Sequence, residues 1–366
     1  MSRFDELDTP ALLIDLDRLE RNIEEMAESA RARSIALRPH VKTHKLVEVA
    51  QRQLAAGAAG LTTAKLSEAE AMAAAGLRDL FVCYPLIGAH KLRRLRALAR
   101  EARVTTIADS PEGARALGDA MAGEARPLDV LIKLDVGMHR VGVAPEEAPA
   151  LAAEVARHRG LRLRGVCIHE GTVYGEPDPE RRAAIAREQV GRLVETARTL
   201  EREGHAMEVV SAGATPAAGA SLSVEGLTEF RPGNYVFYDS MQVAMGVVGP
   251  ERCAQTVLAA VVSRHRDRAV IDAGSKALTV ERGGHGTALV DGYGTIAERP
   301  GIAVRSLSEE HGWLALDAAE PLAVGDRVRL IPNHACPVTN SFPEAVAVRG
   351  DAVSERWPVV ARGRLT

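Results

Sequence analysis

The sequence predicts an α/β chain: a (β/α)8 TIM-type barrel over residues 20–245, with an appended C-terminal β-domain. Three observations carry that prediction. Short apolar runs alternate with longer amphipathic, Ala/Arg/Glu-rich stretches from about residue 20 to residue 245. Eight such runs can be counted. From about Cys253 the alternation gives way to short strand-like runs separated by Gly-rich turns. Strand–helix alternation implies parallel strands, and eight repeats suggest a closed barrel rather than an open sheet.

In chain order the strand candidates are 34–37, 60–63, 79–84, 103–107, 129–134, 164–169, 207–211 and 227–230. The stretches 66–75, 89–100 and 179–203 between them carry helical periodicity. Beyond the barrel, 257–263, 269–272, 312–316 and 326–331 read as strands, with no long helix among them. The opening run 11–15 precedes the barrel and is expected to pair with that later domain. The second domain is therefore residues 1–19 plus 246–366, within the usual domain size range.

Composition excludes several functions. Aromatic residues make up 3% of the chain and the net charge is -3, which argues against a base-stacking or basic nucleic-acid surface. No run approaches the roughly 18 apolar residues of a membrane span. The start MSRFDELDTP is polar and acidic, unlike a signal segment. Cys83, Cys167 and Cys253 sit in apolar runs and read as small buried hydrophobes. A soluble, reduced, cytoplasmic protein that binds neither membrane nor nucleic acid is the expectation.

The first sign of chemistry is a scarcity. Of 46 basic residues only six are lysine, and two of those, Lys42 and Lys45, fall within Arg38-Pro39-His40-Val41-Lys42-Thr43-His44-Lys45. Where arginine supplies charge so freely, a lysine suggests a task that needs an amine, chiefly addition to an aldehyde. Arg38, His40, His44 and Lys45 crowd positive charge around Lys42, which disfavours its ammonium form. A basic turn after a strand, holding a solvated charge or a phosphate, is the other reading of the same residues.

In a (β/α)8 barrel the chemistry sits at the carboxyl ends of the strands. That rule collects Lys42 after the first strand, Asp135, His139 and Arg140 after the fifth, and His169, Thr172 and Tyr174 after the sixth. Ser211-Ala212-Gly213-Ala214-Thr215 follows the seventh, and Arg231-Pro232-Gly233-Asn234-Tyr235 follows the eighth. Gly-rich loops after strands seven and eight frequently hold a phosphate through backbone amides. A phosphate site, an aldehyde-reactive lysine and a nearby ring together describe pyridoxal 5'-phosphate. Taken singly, Arg140 reads as a rim partner of Asp135, His169 as a core histidine and Tyr174 as loop packing.

The segments RPHVKTHK, KLDVGMHRVG, RPGNYVFYD, DAGSKAL, LSEEHG and PNHAC resemble the alanine-racemase-like, fold type III pyridoxal-phosphate enzymes, and among them the D-threonine aldolase and D-serine dehydratase branch. By that resemblance Lys42 bonds the cofactor's aldehyde, Arg140 approaches its phenolic oxygen and His169 packs on its ring. Ser211, Gly213, Thr215, Gly233, Asn234 and Tyr235 fall in the two loops that hold the phosphate, and Tyr174 lies beside cofactor and substrate. The resemblance also implies a homodimer with its active sites at the interface.

The second domain narrows the reaction. His334-Ala335-Cys336 places an imidazole and a thiol two residues apart, and in an extended loop that spacing sets both on one side of the backbone. Such ligands suit Zn²⁺, with Mn or Mg as alternatives in the family, and substrate or water completing the shell. By the resemblance this position binds a divalent metal, with His-x-Cys in dehydratases and often His-x-Asp in aldolases. The implied activity is a lyase acting on β-hydroxy-D-amino acids such as D-serine or D-3-hydroxyaspartate. Dehydration is favoured over cleavage to glycine and an aldehyde. Lys42, Tyr174, His334 and Cys336 are the expected catalytic residues. A racemase would rest on Tyr293, the only tyrosine after residue 245, and would leave His334 and Cys336 without a task. A bare cofactor carrier would have no use for the β-domain.

Overall fold

The computed structural model describes residues 4–284, 288–317 and 319–366. In chain order its strands are β1 (Ala11–Asp15), β2 (Ala36–Leu37), β3 (Leu61–Thr63), β4 (Asp79–Val82), β5 (Arg103–Ala108), β6 (Leu128–Lys133), β7 (Leu161–Cys167), β8 (Val209–Ala212) and β9 (Glu229–Phe230). They continue as β10 (Gln255–Arg264), β11 (Arg268–Ile271), β12 (Thr295–Ile296), β13 (Arg299–Leu307), β14 (Gly312–Ala315), β15 (Arg327–Ile331), β16 (Glu344–Arg349) and β17 (Ala352–Pro358). The chain divides into two compact units. One comprises residues 26–42, 50–233 and 364–366; the other comprises 1–25, 43–49 and 234–363.

The first unit is a parallel barrel. Its strands run in the order β2-β9-β8-β7-β6-β5-β4-β3. The circuit closes between β2 and β3 through Ala59 N–H to the Leu37 carbonyl (2.8 Å), Thr62 N–H to the Pro39 carbonyl (2.8 Å) and a parallel bridge from His40 to Thr62. Strand interiors match the sequence reading, and the ends shift for local reasons. Ser34 has φ 55°, a left-handed conformation that strand pairing does not accept, so β2 begins only at Ala36. The sixth barrel strand starts earlier than its apolar run, because Arg162 and Arg164 are neutralised by Asp129 across the sheet, at 2.7 and 3.3 Å.

Helices between the strands follow capping chemistry. Helix α1 (Leu16–Arg31) has Asp17 in its first turn and Arg31 in its last, both favourable to the helix dipole. The helices that follow are α2 (Val47–Ala55), α3 (Leu66–Ala74), α4 (Ala89–Glu101), α5 (Pro111–Met121), α6 (Ala148–Ala156) and α7 (Pro179–Arg202). Helix α7 opens on Asp178, whose carboxylate accepts the Arg181 N–H at 2.8 Å, with Pro179 in the first turn. Its Ala186, Val190, Leu193, Ala197 and Leu200 are buried at helical spacing. The short helices α8 (Ala218–Ser221), α9 (Ser240–Ala244), α10 (Ser275–Leu278) and α11 (Ala335–Ser341) complete the set.

In the second unit, β10, β11, β14, β13, β12 and β15 form a closed antiparallel circuit, with β1, β16 and β17 extending from β10. Strand β1 pairs antiparallel with β10 (Ala11 opposite Leu258) and parallel with β16, as the apolar run 11–15 led us to expect. A register shift between Val261 and Ser263 lets β10 change partners along its length. Strands β12, β13, β16 and β17 are absent from the sequence reading. The segments RPGIAVRSL and AVSERWP carry Arg, Glu, Pro and Gly in places that look like turn or exposed loop, yet both pair along their length.

Candidate active site

Lys42 lies in a short 3-10 turn, Val41–Thr43, just past β2, and its backbone N–H donates to His40 Nδ1 at 3.4 Å. The expected crowding by Arg38 is not what the structure shows. Arg38 is buried, and its guanidinium donates to Glu229 at 2.6 Å and to Asp79 at 2.5 Å. Its charge is consumed inside the barrel wall. Lys45 Nζ is likewise directed to the Ala361 carbonyl at 3.2 Å.

The positive charge that matters in this unit comes from other strands. His169 donates Nδ1–H to the Gly213 carbonyl at 2.6 Å. Burial first, then the charges of Lys42 and Lys133, hold its pKa well below the ordinary histidine value, so its ring is neutral. Lys133, Asp135, Arg140 and His169 line one small cavity. Asp135 accepts N–H bonds from Gly137 (2.9 Å) and His139 (3.1 Å), and no Arg140–Asp135 ion pair occurs among the described residues. Arg140 is exposed. Tyr174, in the turn Gly171–Gly175, packs against Val173, Ala186, Ala214 and Ala217, which places it beside the loop after β8.

That loop departs from the expected phosphate cradle. Ser211 lies inside β8; its hydroxyl donates to Glu229 at 2.6 Å and accepts from Arg231. The Gly213 N–H donates to the fully buried Glu170 carboxylate at 2.7 Å, and Glu170 also accepts from the Ser221 hydroxyl at 2.9 Å. Gly213 therefore has its amide committed to protein. Its missing side chain serves a close approach: a Cβ there would stand 2.5 Å from the Arg231 carbonyl carbon and oxygen. Thr215 starts the next turn, Thr215–Ala217, and Gly233 is half-buried. Asn234 and Tyr235 are buried in the turn Asn234–Val236; the Asn234 side chain donates to Asp239 at 2.5 Å, so it braces its own segment.

His334 and Cys336 belong to the β-rich unit, and here too the expected extended loop is corrected. His334 is extended (φ -137°, ψ 113°) and caps α11, while Cys336 is the second residue of that helix. Their side chains nonetheless meet. Burial disfavours the His334 imidazolium, but contact with Cys336, a 2.5 Å bond from Nδ1 to Glu281 and the charge of Asp239 hold its pKa well above the ordinary value. Cys336 Sγ lies 3.2 Å from the buried Thr43 hydroxyl. The N–H of Ala335, between the two side chains, donates to buried Asp239 at 2.9 Å. Nδ1 is occupied by Glu281, and the Cys336 thiol is in contact with the same ring. That donor pair fits a divalent cation, with the remaining positions left to solvent or substrate. No group of three or more His, Cys, Asp or Glu side chains that could hold a metal occurs among the described residues. Tyr293 is half-buried in the same unit, its N–H bonded to the Val304 carbonyl at 2.8 Å.

Several residues of these clusters escaped the sequence reading. Lys133, 4% exposed, is one of the six lysines, so the scarcity that singled out Lys42 pointed to it as well. It shares the barrel interior with Cys83, Cys167 and Arg231, and burial lowers its pKa. The two thiols pack with Phe81, Ile107 and Leu131; Cys167 is buried as expected, whereas Cys83 is half-buried. Arg231 donates to Ser211 and to the Ile168 carbonyl (2.6 Å) and lies over the Phe81 ring. Glu170, Asp239 and Glu281 carried no signal in spacing, since their partners are remote in sequence.

A parallel eight-stranded barrel followed by an antiparallel β-domain is the architecture of the alanine-racemase-like, fold type III class of pyridoxal-phosphate enzymes. The family description "Alanine racemase, N-terminal domain" matches residues 14–241, and "Putative serine dehydratase domain" matches residues 254–348. The chain is 36% identical to D-threo-3-hydroxyaspartate dehydratase of Delftia sp. (strain HT23), covering 96% of this chain and 97% of that protein. It is 33% identical to D-threonine aldolase of Arthrobacter sp., covering 98% and 93%. Among solved structures, a metal-free form of a Cys-to-Ala variant of D-threo-3-hydroxyaspartate dehydratase superposes with a TM-score of 0.91 at 35% identity, covering 98% of this chain and 99% of that one. The chain belongs to the alanine-racemase-like family, in the branch that contains the D-threonine aldolases and D-serine dehydratases. No helix among the described residues is long and apolar enough to cross a membrane.

Proposed function

We propose that this protein is a pyridoxal-phosphate- and divalent-metal-dependent lyase that removes water and ammonia from β-hydroxy-D-amino acids of the D-3-hydroxyaspartate or D-serine type. The observation that carries the reading is the contact between His334 and Cys336 at the start of α11, with Glu281 on His334 Nδ1. A cofactor carrier or a racemase has no task for that pair. Relatives that share nearly the full length act on such substrates by name, as D-threo-3-hydroxyaspartate dehydratase and D-threonine aldolase.

Bound, the cofactor supplies an electron sink for the substrate's α-carbon, and the metal supplies positive charge at the β-oxygen. The barrel, taken as residues 20–245, carries the first group; the β-domain, residues 1–19 plus 246–366, carries the second. Lys42 would hold the cofactor through its aldehyde carbon, and its amine, once released by the substrate's amine, would take the α-proton. His169, kept neutral and fixed by the Gly213 carbonyl, would pack on the cofactor ring without competing for that proton. Arg140 would approach the phenolic oxygen, and Tyr174 would stand beside the substrate. The backbone around Thr215, Gly233, Asn234 and Tyr235 would hold the phosphate, since the Ser211 hydroxyl and the Gly213 amide are committed to Glu229, Arg231 and Glu170. His334 and Cys336 hold the cation, zinc by their softness, and leave positions open for the hydroxyl. We extend the same reading to a cytoplasmic homodimer.

The test is product analysis with D-serine, D-threonine and D-3-hydroxyaspartate, with and without chelation. Metal-dependent release of a 2-oxo acid and ammonia is the expected result. Glycine plus an aldehyde would instead establish cleavage, the reading that the likeness to the Arthrobacter aldolase favours. Full activity after metal removal would return the racemase to first place.

A further inference from the structure

The Nδ1 side of the His334 ring has a carboxylate partner. Nδ1 stands 2.5 Å from Glu281 Oε2. A neutral imidazole carries one donor and one acceptor nitrogen. A carboxylate can only accept, so it keeps a proton on Nδ1, and Nε2 is the nitrogen whose lone pair a metal would take in place of any proton there. Metal-bound histidines commonly have this outer carboxylate, which sets the tautomer, holds the ring plane and raises ligand basicity.

Glu281 is not a chance surface neighbour. Its side chain is 46% exposed, and an exposed ion pair alone would mean little. Its backbone, however, is pinned from inside the unit. The fully buried Asn333, one residue before His334, donates its Nδ2 hydrogens to the Glu281 carbonyl at 3.0 Å and to the Gly292 carbonyl at 2.9 Å. One residue thus ties the carboxylate's segment to the segment it serves. On the other ligand, Thr43 Oγ1 stands 3.2 Å from Cys336 Sγ, and the Asp239 carboxylate fixes the Ala335 N–H between them. Each part of the pair is held, and the partner of the imidazole is the one that decides which nitrogen can bind.

We infer that Glu281 is a positioning residue that presents His334 Nε2 to the metal and thereby sets metal affinity. The inference rests on the metal reading of His334 and Cys336 proposed above. Its test uses the holoenzyme, stripped of metal by chelation and titrated with Co²⁺, whose bond to a thiolate absorbs in the near ultraviolet. Glu281→Ala should weaken Co²⁺ binding by about 10–100-fold, with an unchanged band at saturation. Glu281→Gln, whose amide oxygen still accepts from Nδ1, should restore most of that loss. Because the carboxylate is exposed, neither change strands a buried charge. Native affinity in Glu281→Ala together with lost binding in His334→Ala would overturn the inference and leave the metal reading standing. Native affinity in His334→Ala would overturn the metal reading itself. A saturated Glu281→Ala spectrum of altered coordination would make Glu281 a direct ligand and also overturn the positioning role.

Discussion

Arg38→Met separates the two roles open to that arginine, a charge acting on Lys42 or a strut of the barrel wall. In the structure its guanidinium donates to Glu229 at 2.6 Å and to Asp79 at 2.5 Å, and Glu229 also accepts from the Ser211 hydroxyl at 2.6 Å. Arg38 and Glu229 are both buried, whereas the Asp79 side chain is 30% exposed and has Arg103 at 3.5 Å in reserve. Removing one partner of a buried pair costs about 3–5 kcal/mol, because the other charge is left without compensation. The Asp79 share is discounted for solvent screening, so the lower end, about 3 kcal/mol, is expected. For domains of 150–250 residues that is a fall in Tm of about 6–12 °C. The double variant Arg38→Met/Glu229→Leu should recover part of it, since no buried carboxylate then lacks its partner. Calorimetry or far-ultraviolet circular dichroism reads the transition, and borohydride reduction followed by peptide mapping reads cofactor attachment at Lys42. An unchanged Tm with lost attachment would refute the structural role and restore the one suggested by sequence proximity.

Lys42→Ala should lose the borohydride-fixed label and nearly all turnover; a label that persists on another lysine refutes the assignment. Gly213→Ala would force a Cβ to within 2.5 Å of the Arg231 backbone, so a destabilisation of about 1–3 kcal/mol with weaker cofactor retention is expected in urea titrations. His169 has a folded-state pKa below its unfolded value of about 6.5, so the unfolded chain binds the extra proton. Stability should therefore fall as pH drops below about 6.5, by at most about 1.4 kcal/mol per pH unit, and be unaffected above it. His169→Gln should flatten that slope in urea unfolding at pH 7.5 and 5.5. Cys336→Asp should retain metal and shift products towards glycine and an aldehyde, measured by chromatography; unchanged product ratios would remove Cys336 from the choice of reaction.

Much of the architecture was legible without coordinates because it is written locally. Helix α7 was read to within a residue, since an Asp-Pro start and buried positions three and four apart are properties of one short segment. The barrel strands announced themselves as apolar runs between such helices, and the residues after their carboxyl ends could be collected by a topological rule. The segment resemblance supplied cofactor and family. Strands β13 and β17 were missed because an antiparallel strand with one wet face may carry Arg and Glu there, and then resembles loop.

Partners were decided by the tertiary structure alone. Arg38 and Glu229 are 191 residues apart, His169 and Gly213 are 44, His334 and Glu281 are 53, and Cys336 and Thr43 are 293. Nothing in the spacing of Ser211 or Gly213 distinguishes an amide or hydroxyl offered to a phosphate from one given to Glu229 or Glu170. Hydrogen bonds and charge pairs act over about 3 Å, whereas the chain brings such groups together only after strands separated by tens of residues have paired. Periodicity and capping depend on neighbours along the chain, so the sequence by itself determined the barrel's strands and helices and their order, and pointed to the reactive residue types. Which polar group is spent on holding the fold, and which remains for chemistry, depends on neighbours in space and was decided only by the folded structure.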